Sequence, residues 1–198
     1  MEIKCVIFDM DGTLIDSPYD WEKIRMDLET HGKPILTYIS ELEEPEKTLK
    51  WKLLEKYEHE ATVNATLKKG IPEFLHFLND MEIVKALVTN NNKTNTSFLL
   101  DKFDLKFDYV LTRESGLWKP SGAPLRKVLK TFNLKQDECC LIGDSEFDIQ
   151  AGIDAEIADI FIINSERKKF GLNRAEMFTS IVDIQKKITS MICDPSGS

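Results

Sequence analysis

The stretch Ile3-Lys4-Cys5-Val6-Ile7-Phe8-Asp9-Met10-Asp11-Gly12-Thr13-Leu14 runs from a short apolar segment straight into two acidic residues. An apolar run without polar alternation predicts a strand buried on both faces, as in a parallel sheet covered by helices. Asp9 and Asp11 then stand at the C-terminal end of that strand, the edge of an open α/β sheet where ligands bind. Similar runs return at Val84 to Thr89, Tyr109 to Leu111, Cys139 to Ile142 and Ile160 to Ile163. Helical stretches lie between them at Pro72 to Asn79, Thr94 to Lys102 and Ala123 to Phe132. The alternation predicts an α/β fold with helices on both faces of a parallel sheet.

Between the first strand and the next lies Ile15 to Gly70, far longer than an ordinary connection. Trp21 to Thr30 and Leu42 to Leu67 have helical spacing, with Trp51, Leu54, Tyr57 and Ala61 along one face. The expectation is a core of residues 1–14 and 71–198 carrying an inserted helical domain, 15–70.

Composition is that of a globular protein, 42% hydrophobic and 30% charged. Lys and Arg number 26 against 34 Asp and Glu, a net charge of -8 that repels nucleic acid and anionic membranes, so neither is expected as a partner. A monomer or small homo-oligomer is expected. Cys5, Cys139, Cys140 and Cys193 lack metal-ligand spacing, and the first three fall in apolar runs. With no signal-like or membrane-spanning stretch, the expected compartment is the cytoplasm.

The chemistry concentrates at strand ends. A carboxylate such as Asp9 can attack phosphorus and split one hard displacement into two easier ones. Asp11 suits proton transfer to a leaving alkoxide, and Gly12 lets the chain turn sharply away from the strand. Read as a calcium loop, the segment lacks the late Glu that such a loop requires.

Gly143-Asp144-Ser145-Glu146-Phe147-Asp148 ends another apolar strand. Asp144 and Ser145 also suit helix capping, which is compatible with a metal role. Carboxylates gathered from both clusters would repel by roughly 4 kcal/mol per close pair at an effective dielectric near 20, so they need a cation. All-oxygen ligands beside a phosphate favour Mg²⁺. Thr89 with Asn90 to Asn92 could present a hydroxyl and N–H groups to phosphate oxygens, and Lys119 could neutralise a transferring phosphoryl group.

Taken in order, Asp9 to Leu14, Thr89-Asn90, Lys119-Pro120 and Gly143 to Asp148 resemble the four motifs of the haloacid dehalogenase-like hydrolase superfamily, in its phosphatase branch. The resemblance implies a Rossmann-like three-layer core with a helical cap inserted after the first motif, similar to phosphoglycolate phosphatase-like proteins. It implies a Mg²⁺-dependent enzyme that hydrolyses small phosphate monoesters through an aspartyl-phosphate. Asp9 would be the nucleophile, and Asp11 the acid that protonates the leaving group and then activates water. Thr89, Asn90 and Lys119 would hold the phosphoryl group. The metal would be held by the Asp9 carboxylate, the Asp11 backbone carbonyl and Asp144, with Asp148 in support. A dehalogenase lacks the second Asp, so Asp11 favours phosphate chemistry.

Two positions depart from the family pattern. The second Pro after Lys119 comes late, at Pro124, and Glu156 stands where a Gly is usual. In the cap, Trp21, Arg25, Lys33, Lys50, Trp51 and His59 are candidate substrate contacts, with Arg25 the best partner for a second anionic group. Trp51 is expected in the cap core and His59 in solvent. A phosphomutase of the β-phosphoglucomutase kind would use the same intermediate and is the alternative. A phosphoryl-accepting receiver is disfavoured by Gly143 to Asp148 and by the long insert.

Overall fold

Strand β1 (Cys5–Phe8) is buried at every position, and so is β6 (Cys139–Gly143), in the computed structural model, which describes residues 3–163, 170 and 174–193. Such strands have no solvent face, which is why their sequences read as unbroken apolar runs. The remaining elements are β2 (Ile15–Asp16), α1 (Trp21–Leu28), α2 (Ile35–Glu41), α3 (Glu46–Val63), β3 (Thr66–Leu67), α4 (Ile71–Asp80), β4 (Val84–Val88), α5 (Lys93–Lys102), β5 (Tyr109–Leu111), α6 (Ala123–Phe132), α7 (Glu146–Asp154), β7 (Asp159–Ile163), β8 (Glu176–Phe178) and α8 (Ile181–Cys193).

Six strands form one sheet in the order β5-β4-β1-β6-β7-β8, and every neighbouring pair is parallel. One core lies between the sheet and the helices α6 and α7. There Cys5, Ile7, Ala86, Val88, Leu141 and Ile162 meet Leu125, Val128, Ile149 and Ala151. On the other face the Phe8 ring meets Phe74 of α4 edge-on at 5.7 Å, and α8 packs against α4 and β8. Each buried Val, Leu, Ile or Phe among them contributes roughly 1.5–3 kcal/mol. The expected α/β, Rossmann-like three-layer architecture is therefore the observed one.

The chain divides into two compact units, Met1–Asp16 with Leu67–Ser198, and Ser17–Thr66. The second is helical, with α1 and α2 both packed on α3. Its core holds Ile24, Leu28, Ile39, Leu54 and Ala61, while Trp51 and Tyr57 are half-buried. The sequence pattern merged what lies around Pro45: α3 begins only after it, because Pro cannot supply the N–H a continuing helix requires. Helix α1 stops at Leu28 because Glu29 takes the left-handed conformation, φ 57°. Strand β8 and helices α2 and α8 were not anticipated.

Cys5, Cys139 and Cys140 are free and buried. The Cys5 thiol is pushed far up by its contact with Cys139 and by burial, so it packs as a hydrophobe. The side chain of Cys193 lies outside the described residues. Among the described residues no helix is long and apolar enough to cross a membrane.

Candidate active site

Strands β1 and β6 run in register, Phe8 beside Ile142, and the Asp9 N–H donates to the Ile142 carbonyl at 2.9 Å. Asp9 and Asp144 therefore leave adjacent strand ends. On the other side β4 pairs with β1, Leu87 beside Phe8, which brings Thr89 to the same edge. The strand order reverses here, since the chain runs from β1 outward to β5 and then crosses to β6. An open α/β sheet has its natural cleft at such a point.

Gly12 shows why the acidic loop closes tightly. Its φ is +82°, and a Cβ there would overlap the Asp144 carboxylate. Only glycine combines that backbone conformation with that clearance.

Lys119 joins the two acidic segments. Its ammonium donates to Asp9 Oδ1 at 2.5 Å and to Asp148 Oδ1 at 2.6 Å. All three side chains are withdrawn from solvent, with Asp9, Lys119 and Asp148 exposed by 7%, 4% and 0%. The second Asp148 oxygen accepts from Ser145 Oγ at 2.5 Å, from the Ser145 N–H at 3.1 Å and from the Asp144 N–H at 3.3 Å. Ser145 caps α7 in return, in a reciprocal capping box with Asp148.

Asp9, Asp144 and Asp148 each bring a carboxylate oxygen within 4.8 Å of the others. Among the described residues, three carboxylates gather here against the one ammonium of Lys119. Burial pushes the Asp9 carboxyl well above the ordinary range, Asp148 and Asp144 push it further, and Lys119 opposes them. Burial works against the Lys119 ammonium too, but Asp148 and Asp9 outweigh it and raise its pKa. An all-oxygen set of carboxylates fits a hard divalent cation. Asp9 and Asp144 could hold such an ion, while both Asp148 oxygens accept from Lys119, Ser145 and the Asp144 N–H.

A second network lies at the end of β4. Thr89 Oγ1 accepts from the Asn91 N–H at 3.0 Å, and Asn91 Nδ2 donates to Asp11 Oδ2 at 3.0 Å. The Asn90 carboxamide exchanges two hydrogen bonds with the Lys119 backbone, donating to its carbonyl at 2.8 Å and accepting from its N–H at 2.9 Å. That pair fastens the Lys119 loop to the strand end.

Residues 18–162 match the haloacid dehalogenase-like hydrolase family. The chain belongs to the haloacid dehalogenase-like hydrolases. It is 28% identical to an uncharacterized hydrolase of Saccharomyces cerevisiae, over 96% of this chain and 91% of that one. It is also 28% identical to a phosphoglycolate phosphatase of Aquifex aeolicus, over 91% and 97% of the two chains. A crystal structure of a haloacid dehalogenase superfamily hydrolase from Ehrlichia chaffeensis has 26% identity and a TM-score of 0.65, covering 96% of this chain and 98% of that one.

Of the residues singled out in this haloacid dehalogenase-like chain, Asp9, Asp144, Asp148 and Lys119 converge on one group, with Asp144 half-buried and the other three buried. The Asp11 side chain lies outside that group and is turned to Asn91, and Thr89 belongs to the same strand-end network. The Asn90 side chain faces the Lys119 backbone. Two participants were missed: Asn91, hidden in a run of three asparagines that reads as turn chemistry, and Ser145 as a donor to Asp148. In the helical unit Lys33 pairs with Glu41 at 2.6 Å and Lys50 with Glu29 at 2.7 Å. Trp21 stacks on Tyr19 at 4.3 Å, and Arg25 and His59 are exposed.

Proposed function

We propose that this hydrolase is a Mg²⁺-dependent phosphatase of small phosphate monoesters that works through an aspartyl-phosphate on Asp9. The observation that carries the reading is the buried Asp9–Lys119–Asp148 bridge beside Asp144, at the sheet edge where strand order reverses. The likeness to a phosphoglycolate phosphatase supports the same reading.

In this reading a carboxylate oxygen of Asp9 attacks phosphorus while Asp11 protonates the departing oxygen, and Asp11 then takes a proton from the water that releases phosphate. Lys119 favours the ionised form of Asp9 and neutralises charge on the phosphoryl oxygens. Thr89 can donate its hydroxyl hydrogen to one of those oxygens while its lone pair holds Asn91. Asn90 serves chiefly by bracing the Lys119 loop. Mg²⁺ would be held by the Asp9 and Asp144 carboxylates and the Asp11 carbonyl, with Asp148 fixing Lys119 and Asp144 from behind. When bound, it supplies charge that draws the phosphate in and keeps Asp9 ionised. The helical unit Ser17–Thr66 is proposed as a cap that selects the substrate, and the cytoplasm as the compartment.

The test is release of phosphate from an aryl phosphate by purified protein. Activity is expected to require Mg²⁺, to vanish with chelator, and to fall by about 10³-fold or more in Asp9→Asn, the scale on which covalent nucleophiles count. Undiminished turnover in Asp9→Asn would contradict the reading.

A further inference from the structure

Asn91 is 4% exposed and held on every side the structure describes. Its N–H donates to Thr89 Oγ1, and its carbonyl accepts from the Arg113 N–H at 3.2 Å. Its side-chain oxygen accepts from the Asn92 N–H at 2.8 Å and from Asn95 Nδ2 at 3.4 Å. A backbone N–H can only donate, so the oxygen end of the carboxamide must face Asn92 and the NH₂ end must face Asp11. The 3.0 Å contact to Asp11 Oδ2 is therefore a bond from a fixed donor.

A carboxylic acid carries its proton on one oxygen only. An oxygen that already accepts a hydrogen bond along that direction is the poorer place for it. We infer that Asn91 is the positioning residue for Asp11: its fixed NH₂ donor holds Oδ2 as an acceptor and so sets the orientation in which the Asp11 carboxyl presents its transferable proton. This rests on the aspartyl-phosphate reading above. In the step it serves, a bond forms between an Asp9 oxygen and phosphorus, the ester P–O bond breaks, and the Asp11 carboxyl proton passes to the leaving oxygen. An alcohol and an ionised Asp11 result, the ionised form being the one that Asn91 continues to stabilise.

The consequence is selective for the leaving group. An alkoxide needs the proton, whereas a dinitrophenolate leaves without it. The test measures kcat/KM, which reads the steps through aspartyl-phosphate formation, for an alkyl phosphate, phenyl phosphate and dinitrophenyl phosphate. The proteins are wild type, Asp11→Asn, Asn91→Ala, Asn91→Asp and the Asp11→Asn/Asn91→Ala double variant. Asn91→Asp keeps the size of the side chain and its acceptor toward Asn92, so it serves if the alanine variant fails to fold.

Both Asn91 variants are expected to lose about tenfold or more on the alkyl and phenyl esters and less than about twofold on dinitrophenyl phosphate. In the Asp11→Asn background, Asn91→Ala is expected to add less than about twofold. A uniform loss across the series, no loss, or a further loss in the Asp11→Asn background would overturn the inference while Asp11→Asn still shows the graded loss of an acid catalyst. A flat profile for Asp11→Asn itself removes the acid role of Asp11, and the inference goes with it.

Discussion

A methyl group on Gly12 would have to occupy the space of the Asp144 carboxylate, at a backbone angle that L side chains rarely adopt. Gly12→Ala therefore combines backbone strain of about 1–3 kcal/mol with displacement of a proposed metal ligand. Denaturant titration should show the loss of stability, and kcat/KM should fall by about 10²-fold, as expected for reacting groups moved by about an ångström. Residues of this kind were legible in the sequence because their chemistry admits few alternatives: two carboxylates and a glycine after a buried strand, then Gly143-Asp144 after another. Glu156 was legible as an oddity too, and it sits at φ +60°, a conformation glycine takes without strain. The resemblance singles out Asn90 with Thr89, but nothing in the sequence gives Asn91 a role of its own. Asparagines after a strand suit turns whatever else they do, and only the pairing of one with the Lys119 backbone and the other with Asp11 distinguishes them.

Helix α7 starts where its cap and the site share atoms. Ser145 Oγ accepts from the Asp148 N–H at 3.4 Å and donates to Asp148 Oδ2. Ser145→Ala should cost about 1 kcal/mol of stability, the usual value of an N-cap, measured by chemical denaturation. Activity should fall with it, because the buried Asp148 loses a donor and holds Lys119 less firmly. Elements with a strong, uniform pattern were read nearly residue for residue: β5 and α6 have the expected limits, and β1, β4, β6 and β7 are shifted by a residue or two. What escaped had weak or competing signals. Strand β8 is three residues long with an exposed Glu176, and α2 is a short helix between Pro34 and Pro45, in a stretch where prolines signal breaks. Helix α8 does carry a stripe, with Ile181, Ile184 and Ile188 all buried, at spacing that fits one helix face.

At the scale of the whole chain, a protein of net charge -8 gathers carboxylates at one sheet edge, where among the described residues the buried Lys119 counters them. The raised pKa of Asp9 sets the sign of the pH dependence in metal-free protein. The folded state holds the Asp9 proton more tightly than the unfolded chain. That contribution to stability is fully present below the ordinary carboxylate value of 3.8 and is lost as pH rises through the folded value. Exposed carboxylates such as Asp27 and Asp154, whose values are lowered by their hydrogen-bond partners, act in the opposite direction at the acid end. A divalent cation competes with the Asp9 proton. Thermal melts should therefore show Mg²⁺ stabilising the protein more at pH 8 than at pH 5. At a hundredfold excess over its dissociation constant the gain is about 2.7 kcal/mol, roughly 5–10 °C in Tm for a chain of this size. No Mg²⁺ response at either pH would remove the metal from the account.

The central claim is that Asp9 itself takes the phosphoryl group. Acid-quenching the protein within one turnover of a phosphate-labelled aryl ester in Mg²⁺, followed by peptide mapping, tests it most directly. The predicted result is label on the peptide bearing Asp9, absent when Asp9 is Asn. Full phosphate release with no label on that peptide at any time point, or label on another carboxylate, would contradict it.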